Sequence, residues 1–150
     1  MGATEVDGHS FKDIGLPEFT VISRKESETG DILYTVEPKE RIADCPACGG
    51  KLHIHKDAKR KVKDLDEFGH RVGIVVKGKS YRCKDCGETV REEYASICGQ
   101  MTRRMVESIQ RDVFGDMTFT QIARRYNVSV STVQGLFEEQ GEKLWTAYHF

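Results

Sequence analysis

Cys45-Pro46-Ala47-Cys48-Gly49 and Cys83-Lys84-Asp85-Cys86-Gly87 repeat one pattern, CxxCG, and together bring four thiolates to one chain. Two residues between paired cysteines let the backbone turn so that both sulfurs point the same way, and the glycine after each pair accepts the positive φ of such a turn. One CxxC is compatible with a redox dithiol, whereas two copies read as a closed structural site for a single zinc ion, held by Cys45, Cys48, Cys83 and Cys86. The stretch from Gly49 to Arg82 is long for a zinc loop and must carry secondary structure of its own. Cys98 is the odd fifth cysteine and reads as a small buried hydrophobe. His53, His55 and His70 are unneeded as ligands once four thiolates are counted.

Working outward, the 34 residues between the knuckles alternate in period two. Leu52 and Ile54 alternate with His53 and His55, Val62 and Leu65 lead to a turn at Asp66 to Gly69, and Val72, Ile74 and Val76 follow. The metal therefore lies at the base of an antiparallel ribbon, and a clip of this kind offsets the weakness of an isolated hairpin in water. Upstream, Phe19, Val21 and Ile22 precede a turn signal over Ser27 to Asp31, and Ile32, Tyr34 and Val36 then alternate up to Pro38, which reads as a further β-hairpin. Met1 to Gly15 has no strong periodicity and reads as a flexible arm.

After Gly99 the period changes. Thr102 is placed to cap a helix with Met105, Ile109 and Val113 at spacing four and Phe114 beside them, and Gly115 to end it. Thr118 or Thr120 caps a second helix containing Ile122, Ala123 and Tyr126. Asn127 stands where a left-handed turn residue is needed. Ser129 caps a third helix that buries Val133, Leu136 and Phe137, and Trp145 and Tyr148 suggest a last apolar helical segment. The run Gln121 to Gln134 has the spacing of a helix-turn-helix, with a plain three-helix bundle as the alternative. On the DNA-binding reading, Val130, Ser131, Thr132 and Gln134 face the major groove with Ser129 as a further contact beside them, Gln134 being the best reader of a base. Arg103, Arg104, Arg124 and Arg125 then suit phosphates.

The net charge of −1 over 150 residues hides a gradient. Residues 51–91 hold 12 Lys and Arg against 6 Asp and Glu, while residues 1–50 hold 5 against 10. Lys56, Lys59, Arg60, Lys61 and Lys63 form the densest run, and Lys59, Arg60, Lys61 and Lys63 are the candidate backbone contacts of the ribbon. An apolar content of 38% with mean hydropathy of −0.52 leaves little for a large core, so the metal is expected to be needed for folding. No apolar run approaches the roughly 20 residues that span a bilayer. Reduced thiols point to the cytoplasm, with nucleoid association when DNA is bound.

The order of features, CPxCG, a basic run, Lys63-Asp64-Leu65, a period-two strand, Tyr81-Arg82-Cys83-Lys84-Asp85-Cys86-Gly87 and then the helical pattern, resembles the N-terminal half of the ISL-three family of insertion-sequence transposases. The resemblance covers roughly Leu16 to Gln140. It implies that ribbon and helices hold the terminal inverted repeats of a mobile element on double-stranded DNA, with self-association left open. It also implies an RNase H-like catalytic domain farther on, and this sequence ends at Phe150, before that domain would begin, so no enzymatic activity is expected of it. The expected architecture is α+β: a flexible arm (1–15), a β-hairpin plus four-cysteine zinc ribbon (16–97), a three-helix helix-turn-helix domain (98–140) and a C-terminal helical segment (141–150). A free-standing transcription regulator, a rubredoxin-like electron carrier and a protein-interaction ribbon are the competing functions.

Overall fold

The computed structural model describes the backbone of residues 4–7 and 14–148, with side chains over 14–141. The chain divides into two compact units, Met1–Thr102 and Arg103–Phe150. The first holds the strands β1 (Thr4–Asp7), β2 (Phe19–Glu26), β3 (Ile32–Pro38), β4 (Leu52–Glu67), β5 (His70–Cys83), β6 (Thr89–Arg91), β7 (Ile97–Cys98) and β8 (Met101–Thr102). The second holds the helices α1 (Arg103–Val113), α2 (Phe119–Tyr126) and α3 (Val130–Tyr148).

The expected α+β plan, a hairpin and a separate ribbon followed by a helix-turn-helix domain, is corrected by the sheet. Hairpin and ribbon are one mixed sheet in the order β1-β2-β3-β5-β4-β8-β7, with β6 added on β5, and this sheet dominates the chain. The joint is parallel: Ile32 pairs with Val72, Tyr34 with Ile74 and Val36 with Val76. Both strands alternate strictly, so the parallel register puts all six of these residues on one face. There they pack with Leu16, Phe19, Val62 and Ile97 as the core of the unit. The arm is corrected too, because Thr4–Asp7 pairs antiparallel with β2; the rest of residues 1–13 lie outside the description. The break between units falls after Thr102, and α3 runs on through residues 141–148 without interruption. Trp145 and Tyr148 lie in α3 beyond the described side chains.

A buried carboxylate ties β5 to the segment after β6. Glu92, 7% exposed, accepts from the Lys79 N–H at 2.8 Å, the Tyr81 hydroxyl at 3.0 Å and the Tyr94 hydroxyl at 3.1 Å, with Arg41 at 3.5 Å. Burial, reinforced by this carboxylate, pushes both phenols above the usual tyrosine range. Glu18 fastens the loop before β7 by accepting from the Ser96 N–H at 2.9 Å and its hydroxyl at 2.5 Å. Burial works to raise the Glu18 pKa, but the bonds from Ser96 lower it on balance.

In the helical unit, Thr118 closes a capping box with Gln121, and Asn127 ends α2 in the left-handed conformation at φ 54°. Met105, Val106, Ile109, Ile122, Ala123 and Val133 are buried. Phe114 and Phe137 are not buried as the helical spacing suggested; they are 58% and 42% exposed, and Phe137 instead meets the Phe119 ring at 5.5 Å. The Tyr126 hydroxyl donates to Asp112 at 2.5 Å and lies 2.7 Å from the Ser108 hydroxyl, which locks α2 to α1. Thr102 ends β8, and its hydroxyl donates to the buried Asp64 carboxylate at 2.7 Å.

Candidate metal centre and nucleic-acid interface

The two knuckles repeat the same backbone bonds. In the first, the Gly49 N–H donates to the Cys45 carbonyl at 2.8 Å and the Cys45 N–H to Gly50 at 2.7 Å; in the second, Gly87 donates to Cys83 at 2.9 Å and Cys83 to Glu88 at 2.9 Å. Gly49 and Gly87 have φ of 76° and 75°, the left-handed turn that the CxxCG pattern required. Pairing of Leu52 with Cys83 across β4 and β5 closes the ribbon beside the knuckles and brings them face to face.

All four sulfurs lie within 4.8 Å of one another. Cys45 Sγ is 3.7 Å from Cys86 Sγ, and Cys48 Sγ is 3.4 Å from Cys83 Sγ. A tetrahedral zinc with Zn–S of about 2.3 Å requires sulfurs about 3.8 Å apart, so these residues fit one Zn²⁺. Backbone donors favour thiolate: the N–H groups of Cys86 and then Asp85 draw Cys83 down to about 7. At Cys48 the Gly50 N–H acts in the same sense, but the thiols of Cys83 and Cys86 outweigh it and push the group up to about 12. Four such thiols cannot all ionise together without a cation, so zinc entry displaces protons. Cys45 and Cys83 are buried and Cys48 and Cys86 exposed, leaving the outer pair on the surface. His53 and His55 are exposed and outside the cluster, and Cys98 stands apart in β7.

Residues 43–86 match the family model for the zinc-finger of transposase IS204/IS1001/IS1096/IS1165. The matched segment holds both knuckles, β4 and β5, so this part of the chain is similar to the zinc ribbon of those transposases, and its four-cysteine cluster fits one Zn²⁺. Neither a curated protein nor a solved structure matches the chain. No helix among the described residues is long and apolar enough to cross a membrane.

The basic run divides when the ribbon forms, because successive strand residues face opposite sides. Lys59, Lys61 and Lys63 are exposed on the side opposite the core, and Lys77, exposed on β5, pairs directly with Lys59 and joins their row. Arg60 faces the other way, with Val62 and Asp64, and donates to the Gly99 carbonyl. Sequence reading grouped Arg60 with the lysines because it counted charge along the chain. It missed Lys77 because cross-strand register was not yet known, although period two in β4 and β5 together would have supplied it. Lys79, on the same side, is paired with Asp57.

In the helical unit the candidates fare unevenly. Ser129 caps α3: its Oγ accepts from the Thr132 N–H at 3.1 Å and lies 2.9 Å from the Thr132 hydroxyl. Ser131 is exposed, and the exposed Gln134 donates to Glu138 at 3.3 Å. Arg125 pairs with Asp112 at 3.4 Å and lies 5.8 Å from the Tyr126 ring centre, so it is committed to its own unit. Arg103 and Arg124 are exposed and Arg104 half-buried.

Proposed function

We propose that this chain is the zinc-stabilised DNA-binding part of an insertion-sequence transposase, which holds terminal inverted repeats as double-stranded DNA and does not itself cut or join strands. The observation that carries the reading is the row Lys59, Lys61, Lys63 and Lys77 on the solvent side of a transposase-type zinc ribbon. Successive lysines on β4 advance about 6.8 Å, a spacing that lets them reach neighbouring phosphates of one DNA backbone. Such contacts supply affinity with little choice of sequence.

Sequence choice falls to the N-terminal turn of α3. Ser131 and Gln134 stand on a mount fixed by the Ser129 cap and buried Val133, and Gln134 exchanges Glu138 for an adenine edge. Arg103 and Arg124 contact phosphates. Four thiolates fill a tetrahedral zinc and leave no position for substrate, so the metal organises structure and takes no part in chemistry. Its thiolate ligands fit the reducing cytoplasm.

The test is enrichment of duplexes from a random pool by the zinc-loaded chain. One motif is expected; Gln134→Ala then weakens the selected site by about 1–3 kcal/mol and random DNA far less, while Arg124→Ala weakens both alike. A folded, zinc-loaded protein that enriches no motif would refute the recognition role of α3.

A further inference from the structure

Phe68 is 94% exposed, more than any other large apolar side chain among the described residues. It sits at the tip of the β4–β5 hairpin with φ of 50°, followed by Gly69 at 81°. Two-residue loops with both central residues left-handed favour Asn, Asp or Gly at the first of them, and a bulky side chain there is an outlier. The ring is therefore held in water at a conformational cost.

The tip that holds it is braced. Glu67 accepts from the Tyr34 hydroxyl at 3.0 Å, Arg71 pairs with Asp66 at 3.2 Å, and the Arg71 N–H donates to Asp31 at 3.3 Å. The His70 ring lies so close over Gly30 that a Cβ there would come within 2.5 Å of it. These contacts strap the tip to β3 and to the β2–β3 turn, so Phe68 is presented on a fixed mount. A strained, nearly naked aromatic on a rigid pedestal is preorganised to enter something apolar.

The strand that leads to the tip names the partner. Lys59, Lys61 and Lys63 run along β4 toward it, and the last stands five residues before Phe68, at most about 17 Å of extended chain or some five base steps. The two carboxylates flanking the ring on β4, Asp66 and Glu67, are already engaged by Arg71 and Tyr34. Apolar wedges inserted between bases and aromatic rings stacked on them are the usual companions of a phosphate-tracking basic surface.

We propose that Phe68 is a wedge that enters a base step of the DNA whose phosphates the lysine row holds; this rests on the DNA-binding reading above. The experiment titrates zinc-loaded full chain into duplexes carrying 2-aminopurine at successive positions. Wild type raises the fluorescence at one or two adjacent positions as the base unstacks. Phe68→Asn abolishes that rise and weakens binding about 5- to 150-fold, with an unchanged salt slope. It also raises the melting temperature, since Asn accepts the left-handed turn, whereas Phe68→Trp keeps both signal and affinity. Wild-type affinity and fluorescence in Phe68→Asn would overturn the wedge while leaving DNA binding intact, as would a change confined to self-association. Absence of salt-dependent binding by wild type would overturn both readings together.

Discussion

Glu92→Ala tests whether the sheet that carries the zinc ribbon depends on one buried carboxylate. Truncation removes the acceptor of the Lys79 N–H and of the Tyr81 hydroxyl, the latter in a residue only 2% exposed. A buried donor left without an acceptor costs about 1–3 kcal/mol, so the two together give about 2–6 kcal/mol. Arg41 and Tyr94 are partly solvated and find water instead. Glu92→Gln keeps one acceptor oxygen for the Lys79 N–H and the Tyr81 hydroxyl, while it loses the charge and turns the oxygen that faces Tyr94 into a donor, for about 1–2 kcal/mol. The exposed neighbour Glu93 serves as control, since Glu93→Ala should stay within about 0.5 kcal/mol. The assay is urea unfolding followed by far-ultraviolet circular dichroism with zinc in excess, taking the midpoint at unchanged slope. Tyr81 stands two residues before Cys83, so Glu92→Ala should also weaken zinc retention. A Glu92→Ala protein no less stable than Glu93→Ala would mean that Glu92 does not hold these buried donors.

Cys83→Ser should abolish tight zinc binding and unfold the ribbon, because structural zinc contributes on the order of 10 kcal/mol, comparable to the whole stability of a domain; full zinc occupancy with an unchanged melting curve would refute the ligand assignment. Gly30→Ala should destabilise by about 1–3 kcal/mol, since a Cβ there meets the His70 ring and φ is 89°; a thermal melt reads it, and a neutral result would mean the tip is not braced as described. Glu18 has a folded-state pKa below its unfolded value, so its contribution is present above the ordinary glutamate range near 4.3 and is lost as pH falls through the lowered folded value. The stability difference between wild type and Glu18→Gln, measured by urea unfolding from neutral pH downward, should shrink over that window, and a constant difference would contradict it.

The metal centre was legible because thiolate spacing is a local property: CxxCG constrains its own turn, and Gly49 and Gly87 have the positive φ it implies. Strands β2 to β5 were legible for a similar reason, as alternation shows in a single strand. The pairing of β3 with β5 was not, since it joins segments about 40 residues apart and is decided by which alternating faces share a core. That pairing turns a hairpin and a ribbon into one sheet. Register also sorted the basic run, sending Arg60 to Gly99 and adding Lys77 to the lysines. Glu92 gave no signal because a carboxylate in sequence reads as solvated until its donors converge. In the helices, Thr118 and Asn127 were readable as caps, while Phe137 sits at the edge of the buried stripe, where spacing alone misjudged its exposure.

Phosphate binding by the sheet's lysine row is read out by duplex affinity measured across a salt series, for wild type and for the combined replacement of Lys59, Lys61, Lys63 and Lys77 by Gln. Each phosphate contact contributes about 0.9 to the slope of log K against log salt, so the fourfold variant should be flatter by about 3.6 while its zinc content and melting curve are unchanged. Equal slopes in the two proteins, or no measurable binding of the zinc-loaded wild type at low salt, would contradict it.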